Sequence, residues 1–183
     1  MAFTAVLDAC VLVNARVRDT TLRAAEAGLY QLALSPDILE ETRRAITGLG
    51  YPDDAVNHLI RELEKSFAEH VLTGYQGLIG AMENDPKDRH VLALAVRSHA
   101  GTIVTFNVRD FPRNACEPYS IRAQTPDDFL LDLWDLDPDR MAAIIHEQAQ
   151  ALKRPPMTKE ELLDKLGQFV PGFVQQVREY LGE

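Results

Sequence analysis

The chain is short of cysteine and of positive charge, and it has no long apolar run. Its two cysteines among 183 residues, Cys10 and Cys116, lie far apart and match no CxxC or zinc-finger spacing. We therefore expect free thiols in a reducing compartment, which indicates the cytoplasm. No run approaches the ~18 apolar residues of a membrane helix. The first residues lack the basic and apolar regions of a signal peptide, so no membrane partner is expected.

Positive charge is scarce, with 19 basic residues against 28 acidic ones and a net charge of −9. This balance argues against a protein that coats nucleic acid through bulk positive charge, because phosphate contacts dominate such binding. It does not exclude a nuclease, since an enzyme needs only a local basic strip beside a metal ion that itself carries positive charge.

Several catalytic signatures are also missing. The sequence contains no GxGxxG, GxxxxGK[ST], GxSxG or HExxH motif, which argues against dinucleotide binding, P-loop phosphate binding, α/β-hydrolase chemistry and zinc proteolysis. The glycines of residues 74–80 have the wrong spacing for a dinucleotide loop, and we interpret the ambiguous stretch 71–82 as loop.

The sequence does contain short apolar strands that alternate with amphipathic helices. Strands are predicted at residues 3–7, 30–34, 102–106 and 120–124. This order predicts an α/β fold, a three-layer α/β/α sandwich on a mainly parallel central sheet. Three further helical segments are predicted after Asp137. We therefore expect a main domain over residues 1–135 and a C-terminal helical extension over residues 136–183.

Two segments between the predicted strands leave their roles open. An amphipathic helix predicted over residues 53–70 is either a partner surface or a lid packed on the domain, and residues 107–118 are predicted as loop. The role of the C-terminal extension is equally open, because it could bind a partner, pack on the core or form a homodimer.

Acidic side chains follow two of the predicted strands. Asp8 comes directly after the first strand, and Asp110 lies in the loop after the strand that ends at Phe106. In a parallel sheet the functional site lies at the carboxyl ends of the strands, so both acids are candidates for it. Taken alone, Asp8 could simply cap the following helix.

The helix after Ser35 carries two adjacent acids, and its apolar face separates them. Glu41 lies three residues after Ile38 on the flank of the buried face, whereas Glu40 lies nearly opposite with Arg44. A carboxylate beside a buried face needs a partner because unpaired burial is costly. Glu41 is therefore the candidate ligand, paired with a metal or an arginine.

A third acidic group opens the next long helix. Asp88 lies beside the buried face of that helix, whereas Asp85 belongs to its cap. The alternative is that both acids only interact with the helix dipole. We expect His90 to pack or to form a hydrogen bond and not to bind a metal.

The four carboxylates Asp8, Glu41, Asp88 and Asp110, with the amide of Asn107, form a hard oxygen environment. Such ligands suit Mg²⁺ or Mn²⁺ better than zinc. The cluster would repel itself without a cation. Hard cations at open sites serve phosphoryl and phosphodiester transfer, which indicates this chemistry.

The order and rough spacing of these segments resemble the PIN-domain nucleases, in particular the VapC-like toxins of bacterial toxin–antitoxin systems. The resemblance covers about residues 3 to 130, and the helical tail is similar to that of a PIN subgroup with a C-terminal extension. The segments that carry it are Leu7–Val13, Ser35–Glu41, Asp85–Ala95 and Val104–Pro112.

The resemblance implies an endoribonuclease that cuts single-stranded or structured RNA with Mg²⁺ or Mn²⁺ and is inhibited by an antitoxin protein. Asp8, Glu41, Asp88 and Asp110 match the family's acids, Asn107 matches a supporting polar residue, and Thr105 is expected to orient the site from the strand end. Candidate RNA contacts are Arg16, Arg18, Arg89, Arg109 and Arg113, for which the alternative is ordinary solvated or ion-paired arginines.

One departure from the family concerns the residues after Asp8. The family usually has a hydroxyl and then an Asn or Ser there, whereas this chain has Ala9 and Cys10. A hydrogen bond that supports the acids is therefore expected to be missing, which would weaken metal binding. Cys10 itself is also a candidate redox-sensitive thiol.

Two other functions remain open. The first is an inactive PIN fold that serves as a binding scaffold, which the intact acids disfavour. The second is a phosphatase or phosphoacceptor that uses Asp8 as a nucleophile. It fits poorly because the haloacid-dehalogenase pattern needs a second Asp where this chain has Cys10.

Overall fold

The computed structural model describes residues 3–182, and its centre is a four-stranded sheet in which every neighbouring pair is parallel. The strand order is β2-β1-β3-β4. Helices pack against the sheet and extend beyond it, which confirms the predicted α/β/α fold with C-terminal helices. The strands are β1 (Thr4–Leu7), β2 (Gln31–Ala33), β3 (Thr102–Val104) and β4 (Arg122–Gln124).

β1 lies between two neighbours, and its residues Ala5, Val6 and Leu7 are fully buried. Continuous apolar sequence is expected of a strand that is covered on both faces. β3 ends two residues earlier than predicted. The Thr105 amide still donates to the carbonyl of Gln124 (3.0 Å), but the chain then turns away from the sheet.

The helices begin largely where the sequence predicts them. Ser35 caps its helix by accepting a hydrogen bond from the Ile38 amide (3.2 Å), and Asn14 separates the first two helices by capping the second. The helices are α1 (Ala9–Val13), α2 (Ala15–Glu26), α3 (Pro36–Gly48), α4 (Asp53–Ser66), α5 (Arg89–Arg97), α6 (Arg113–Cys116), α7 (Pro126–Leu136), α8 (Pro138–Ala151), α9 (Lys159–Leu166) and α10 (Pro171–Leu181).

The segment 53–70 packs on the domain instead of presenting a free apolar face. α4 contacts α3 and buries Val56, Ile60 and Leu63. The helix ends at Ser66, earlier than predicted, and a 3-10 turn continues to His70. Of the two roles left open by the sequence, the structure supports the packed helix.

The prediction of a loop over residues 107–118 was wrong in part. This stretch contains the one-turn helix α6 and two 3-10 turns, Val108–Asp110 and Glu117–Tyr119. Ala115 and Cys116 of α6 are buried. Burial of this short apolar patch stabilises a turn of helix too brief to leave a periodic pattern in the sequence.

The C-terminal helices pack on the main domain: α8 and α9 contact α2, and α10 contacts α7. Their apolar residues join one continuous core with the sheet. The carboxylate of Asp127 on α7 accepts hydrogen bonds from the Gly172 amide (3.0 Å) and the Phe173 amide (2.8 Å) at the start of α10. A Cβ at Gly172 would lie 3.0 Å from Oδ2 of Asp127, so a larger residue there would push this carboxylate away by a few tenths of an ångström. The predicted boundary between residues 135 and 136 stays a prediction.

Both cysteines are free thiols, as predicted. None of the helices within residues 3–182 is long and apolar enough to cross a membrane.

Candidate functional site

Asp8 lies at the carboxyl end of β1, where the sheet opens into the loops. Its backbone amide donates to the Val104 carbonyl of β3 (3.0 Å), which holds the residue at the junction of two strands. The side chain is 5% exposed. Burial raises the pKa of Asp8, although hydrogen bonds from Thr105 and the Ala9 amide oppose the shift. The carboxylate also caps α1 through the Ala9 amide, so the capping role weighed from the sequence is real and accompanies its place in the acidic site.

Asp88 and Asp110 come together at the same edge. Asp88 precedes α5 and Asp110 follows β3, and their side chains share a hydrogen bond. Burial, the charge of Asp8 and the contact with Asp110 raise the pKa of Asp88 to about 7. A hydrogen bond between two carboxyl groups forms only when one of them is protonated, so this contact and the neighbouring like charges both favour the protonated form of Asp88.

Lys87 also reaches this edge. Its Nζ lies 3.4 Å from Oδ2 of Asp110, and the charges of Asp110 and Asp88 help raise the pKa of the lysine. Lys87 is exposed, so its ammonium group approaches the carboxylates from solvent. Lys87 was not among the residues predicted from the sequence, although its place between Asp85 and Asp88 is a visible signal.

Glu41 pairs with a histidine. Its Oε1 lies 2.8 Å from Nε2 of His90, on the first turn of α5. Burial opposes protonation of His90, but the hydrogen bond and charge of Glu41 raise its pKa overall. The hydrogen-bonding role predicted for His90 is confirmed, and the partner that Glu41 needed is this imidazole. The charge of Glu41 also contributes to the raised pKa of Asp8, which places Glu41 within electrostatic reach of the acids.

Glu40 points elsewhere, as the helix periodicity predicted. Its carboxylate pairs with Arg43 (2.6 Å) and Arg44 (2.9 Å), and these two arginines lower the pKa of Glu40 to about 2. The two adjacent glutamates of α3 therefore differ in role. Only Glu41 faces the edge of the sheet that holds Asp8, Asp88 and Asp110, which we call the acidic edge.

The hydrogen bonds that support the Asp8 carboxylate come from Thr105 and Cys10. The Thr105 hydroxyl donates to Oδ2 of Asp8 (2.8 Å), and the Cys10 thiol lies 3.5 Å from the same oxygen. The prediction that Ala9 and Cys10 leave this supporting hydrogen bond missing was therefore wrong, because the Cys10 thiol contacts Asp8 beside the hydroxyl of Thr105, the residue after β3. Burial raises the pKa of the Cys10 thiol to about 11, which makes a reactive thiolate unfavourable.

Asn107 supports the site through its backbone. Its amide donates to the Thr105 hydroxyl oxygen (3.0 Å), while its side chain lies exposed in an open cavity of about 480 Å³. Phe106, Val108, Arg109, Asp110 and Thr125 complete the lining of this cavity. The cavity therefore extends from the acids along the loop after β3.

The candidate arginines divide into two groups. Arg109 is exposed in that cavity, and half-buried Arg89 donates to the Asn84 carbonyl (3.3 Å) beside Asp88. Arg18 instead donates to the Leu12 carbonyl at the end of α1 (2.6 Å), and burial lowers its pKa. Arg16 is half-buried on α2, and Arg113 pairs with Glu117. Arg89 and Arg109 are the two placed beside the acids.

The donor chemistry of this edge fits a hard divalent cation. The carboxylates of Asp8 and Asp110 lie near enough to Asp88 for their charges to raise its pKa, and a hard divalent cation would relieve this repulsion. Within residues 3–182, however, no three His, Cys, Asp or Glu side chains lie close enough together to hold a metal ion as they stand. Metal binding would therefore require these side chains to move closer together.

Comparison with known proteins adds to this geometry. A family model described as "PIN domain" matches residues 4–109, and one described as "VapC50 C-terminal domain" matches residues 126–179. A protein of Mycobacterium tuberculosis named "Putative ribonuclease VapC50" is 50% identical over 105 residues. The matched region covers 57% of this chain and 62% of that relative, so less than two thirds of the relative is spanned. No solved structure matches significantly.

Proposed function

Because the chain belongs to the PIN-domain family, we propose that it is a metal-dependent endoribonuclease that hydrolyses RNA at the acidic edge of the sheet. The observation that supports the proposal most is the influence of Asp8 and Asp110 on the pKa of Asp88, since these acids come from the end of β1, the start of α5 and the loop after β3. The name of the relative from M. tuberculosis supports ribonuclease activity as the specific form of this chemistry.

Asp8, Asp88 and Asp110 would hold Mg²⁺ or Mn²⁺, with Glu41 beside them. When bound, such an ion supplies positive charge at the scissile phosphate and lowers the pKa of a water molecule for attack. Thr105 holds Asp8 in one orientation through its 2.8 Å hydrogen bond. A ligand held in this way needs less reorganisation during the reaction, and such supporting contacts are an important contribution of a protein to a metal site.

Charge beside the acids supports an RNA substrate despite the acidic composition. Arg89 and Arg109 lie at the acidic edge, and Lys87 reaches Asp110 from solvent. We propose that these three cations contact phosphates on either side of the scissile bond, which would bring RNA to a site that otherwise repels it.

We also propose that the chain is the toxin of a type II toxin–antitoxin pair, on the basis of its similarity to the VapC50 relative and its C-terminal domain. The partner would be a small antitoxin whose peptide covers the acidic edge. We propose that the protein acts in the cytoplasm, because its RNA substrate and its antitoxin would both be there. Expression of the chain without its antitoxin should arrest growth, and expression of Asp8→Asn should not. Normal growth with wild-type chain at confirmed expression would contradict the toxin role.

The activity itself is tested with purified protein. We expect single-stranded RNA to be cut in Mg²⁺ or Mn²⁺ and to stay intact with EDTA. An inactive scaffold would leave RNA intact under both conditions and would show no stabilisation by Mn²⁺, because only a ligand that binds the folded state raises the melting temperature.

A further inference from the structure

Two exposed aromatic rings meet beside the acidic edge, and each comes from a different part of the chain. Phe106 follows β3, and Phe169 lies between α9 and α10 in the C-terminal region. Their ring centroids are 6.3 Å apart and the ring planes are inclined by 66°, which is an edge-to-face contact. Phe106 is 36% exposed and Phe169 is 45% exposed. Among the ring contacts of residues 3–182, this is the one in which both rings are exposed.

Phe106 is tied directly to the residues that support Asp8. Its amide donates to the Cys10 thiol (3.3 Å), and that sulfur lies 3.5 Å from Oδ2 of Asp8. The preceding residue, Thr105, donates its hydroxyl to the same carboxylate. Phe106 also lines the open cavity that contains Arg109 and Asp110. The ring therefore stands at the mouth of the proposed catalytic site.

Phe169 is held in place by the packing of the C-terminal helices. Its amide donates to the Leu166 carbonyl at the end of α9 (2.9 Å). The next residue, Val170, is fully buried, and the following helix begins under the carboxylate of Asp127. The chain on both sides of Phe169 is thus anchored, while the ring itself stays exposed.

We propose that Phe106 and Phe169 form a stacking platform, in which an unpaired base next to the scissile phosphate stacks on the face of one ring and the other ring, inclined by 66°, borders it. This inference rests on the proposed nuclease function and names two residues that would bind its single-stranded substrate. An exposed ring buries apolar area against a base of any identity, because every base has a π-face. Proteins that bind single-stranded RNA characteristically stack splayed bases on aromatic side chains.

The surroundings favour RNA over a protein partner at this position. Phe106 of the platform lines the cavity that contains Arg109 and Asp110, so a base on the platform would have a cation for its phosphate and an acid of the proposed site nearby. In a duplex the bases are already stacked on each other, so a platform of this kind gains nothing from paired substrate. It also gives the C-terminal region a part in substrate binding that the main domain alone lacks.

The experiment measures binding of short RNA that carries one 2-aminopurine, whose fluorescence falls when it stacks on a ring. The full chain is titrated with single-stranded and duplex forms in Ca²⁺ instead of Mg²⁺, and a gel checks that the RNA stays intact. The variants are Phe169→Leu, which keeps apolar volume but loses the ring, and Phe169→Tyr, which keeps the ring. Tyr119→Leu removes an exposed aromatic ring that lies near His99 and Ser120 and serves as the control.

We expect wild type, Phe169→Tyr and Tyr119→Leu to quench the fluorescence and to prefer single-stranded RNA. Phe169→Leu should lose the quenching and bind single-stranded RNA about tenfold more weakly. The proposed platform is contradicted, and the nuclease assignment stands, if wild type cuts RNA but Phe169→Leu is unchanged in the assay. Unchanged means that the variant binds RNA, quenches the fluorescence and prefers single-stranded over duplex RNA as wild type does. If wild type neither binds nor cuts RNA, both are overturned.

Discussion

The carboxyl groups of Asp88 and Asp110 share a hydrogen bond although one precedes α5 and the other follows β3. The pairing brings two acids to an edge that already holds Asp8, and burial and the neighbouring charges raise the pKa of Asp88 well above that of an aspartate in water. The carboxylates of Asp8, Asp88 and Asp110 therefore repel one another in the metal-free protein. This repulsion should affect the stability of the protein, which can be measured without a substrate.

The first prediction concerns the stability of the metal-free protein. The pKa of Asp88 is raised from 3.8 to about 7 in the folded state, so the folded protein binds a proton that the unfolded chain has lost. Stability should therefore fall as pH rises from about 4 to about 7, by on the order of a few kcal/mol. The raised pKa values of Asp8 and His90 act in the same direction.

Urea unfolding in EDTA across this pH range measures the effect. Asp88→Asn removes the titrating group and should flatten the profile and stabilise the metal-free protein at pH 8. A wild-type profile that is flat between pH 4 and pH 7, or an Asp88→Asn profile as steep as that of wild type, would contradict the account.

A second prediction concerns metal linkage. Mn²⁺ should raise the melting temperature of wild type because the cation binds only the folded acidic edge. Asp88→Asn should lose most of this increase. Glu40→Gln is the matched control, since Glu40 pairs with Arg43 and Arg44 and points away from the acids. An equal Mn²⁺ response in all three proteins would mean that the ion binds elsewhere.

A third prediction concerns the hydroxyl group behind Asp8. Thr105→Val keeps the shape of this fully buried side chain but removes the 2.8 Å hydrogen bond to Oδ2 of Asp8. Loss of such a supporting contact should reduce metal affinity or turnover by about 10–100-fold. Thr105→Ser restores the hydroxyl and should recover most of the activity. Equal activity of the valine and serine variants would show that the hydrogen bond does not matter.

A fourth prediction concerns how the C-terminal helices are held. Asp127→Ala removes the carboxylate that accepts the Gly172 and Phe173 amides, which should lower the free energy of unfolding by about 0.5–2 kcal/mol. Asp135→Ala changes an exposed acid on the same helix and is the control. Equal unfolding midpoints for the two variants would show that the hydrogen bonds to Asp127 do not stabilise the C-terminal helices.

The arrangement of the acids could be predicted from the sequence because it follows from topology. Asp8 and Asp110 come after predicted parallel strands, whose carboxyl ends share one edge, and helix periodicity separates Glu41 from Glu40. The partners of these acids could not be predicted in the same way. His90 meets Glu41, and Thr105 meets Asp8, only when distant segments pack.

Very short helices and contacts between distant segments could not be predicted from the sequence either. The one-turn helix α6 leaves no periodic pattern, so its residues were predicted as loop. The contact of Phe106 with Phe169 joins the end of a strand to a loop between C-terminal helices. Neither residue has a local pattern that identifies its partner.

The central claim is that the edge formed by Asp8, Asp88 and Asp110 is a metal-dependent ribonuclease site. The most direct measurement is cleavage of single-stranded RNA by purified wild type, Asp8→Asn and Glu40→Gln in Mn²⁺, each with and without EDTA. We predict that wild type and Glu40→Gln cleave RNA only without EDTA and that Asp8→Asn loses more than about 100-fold in rate. Full, EDTA-resistant cleavage by Asp8→Asn would contradict the account.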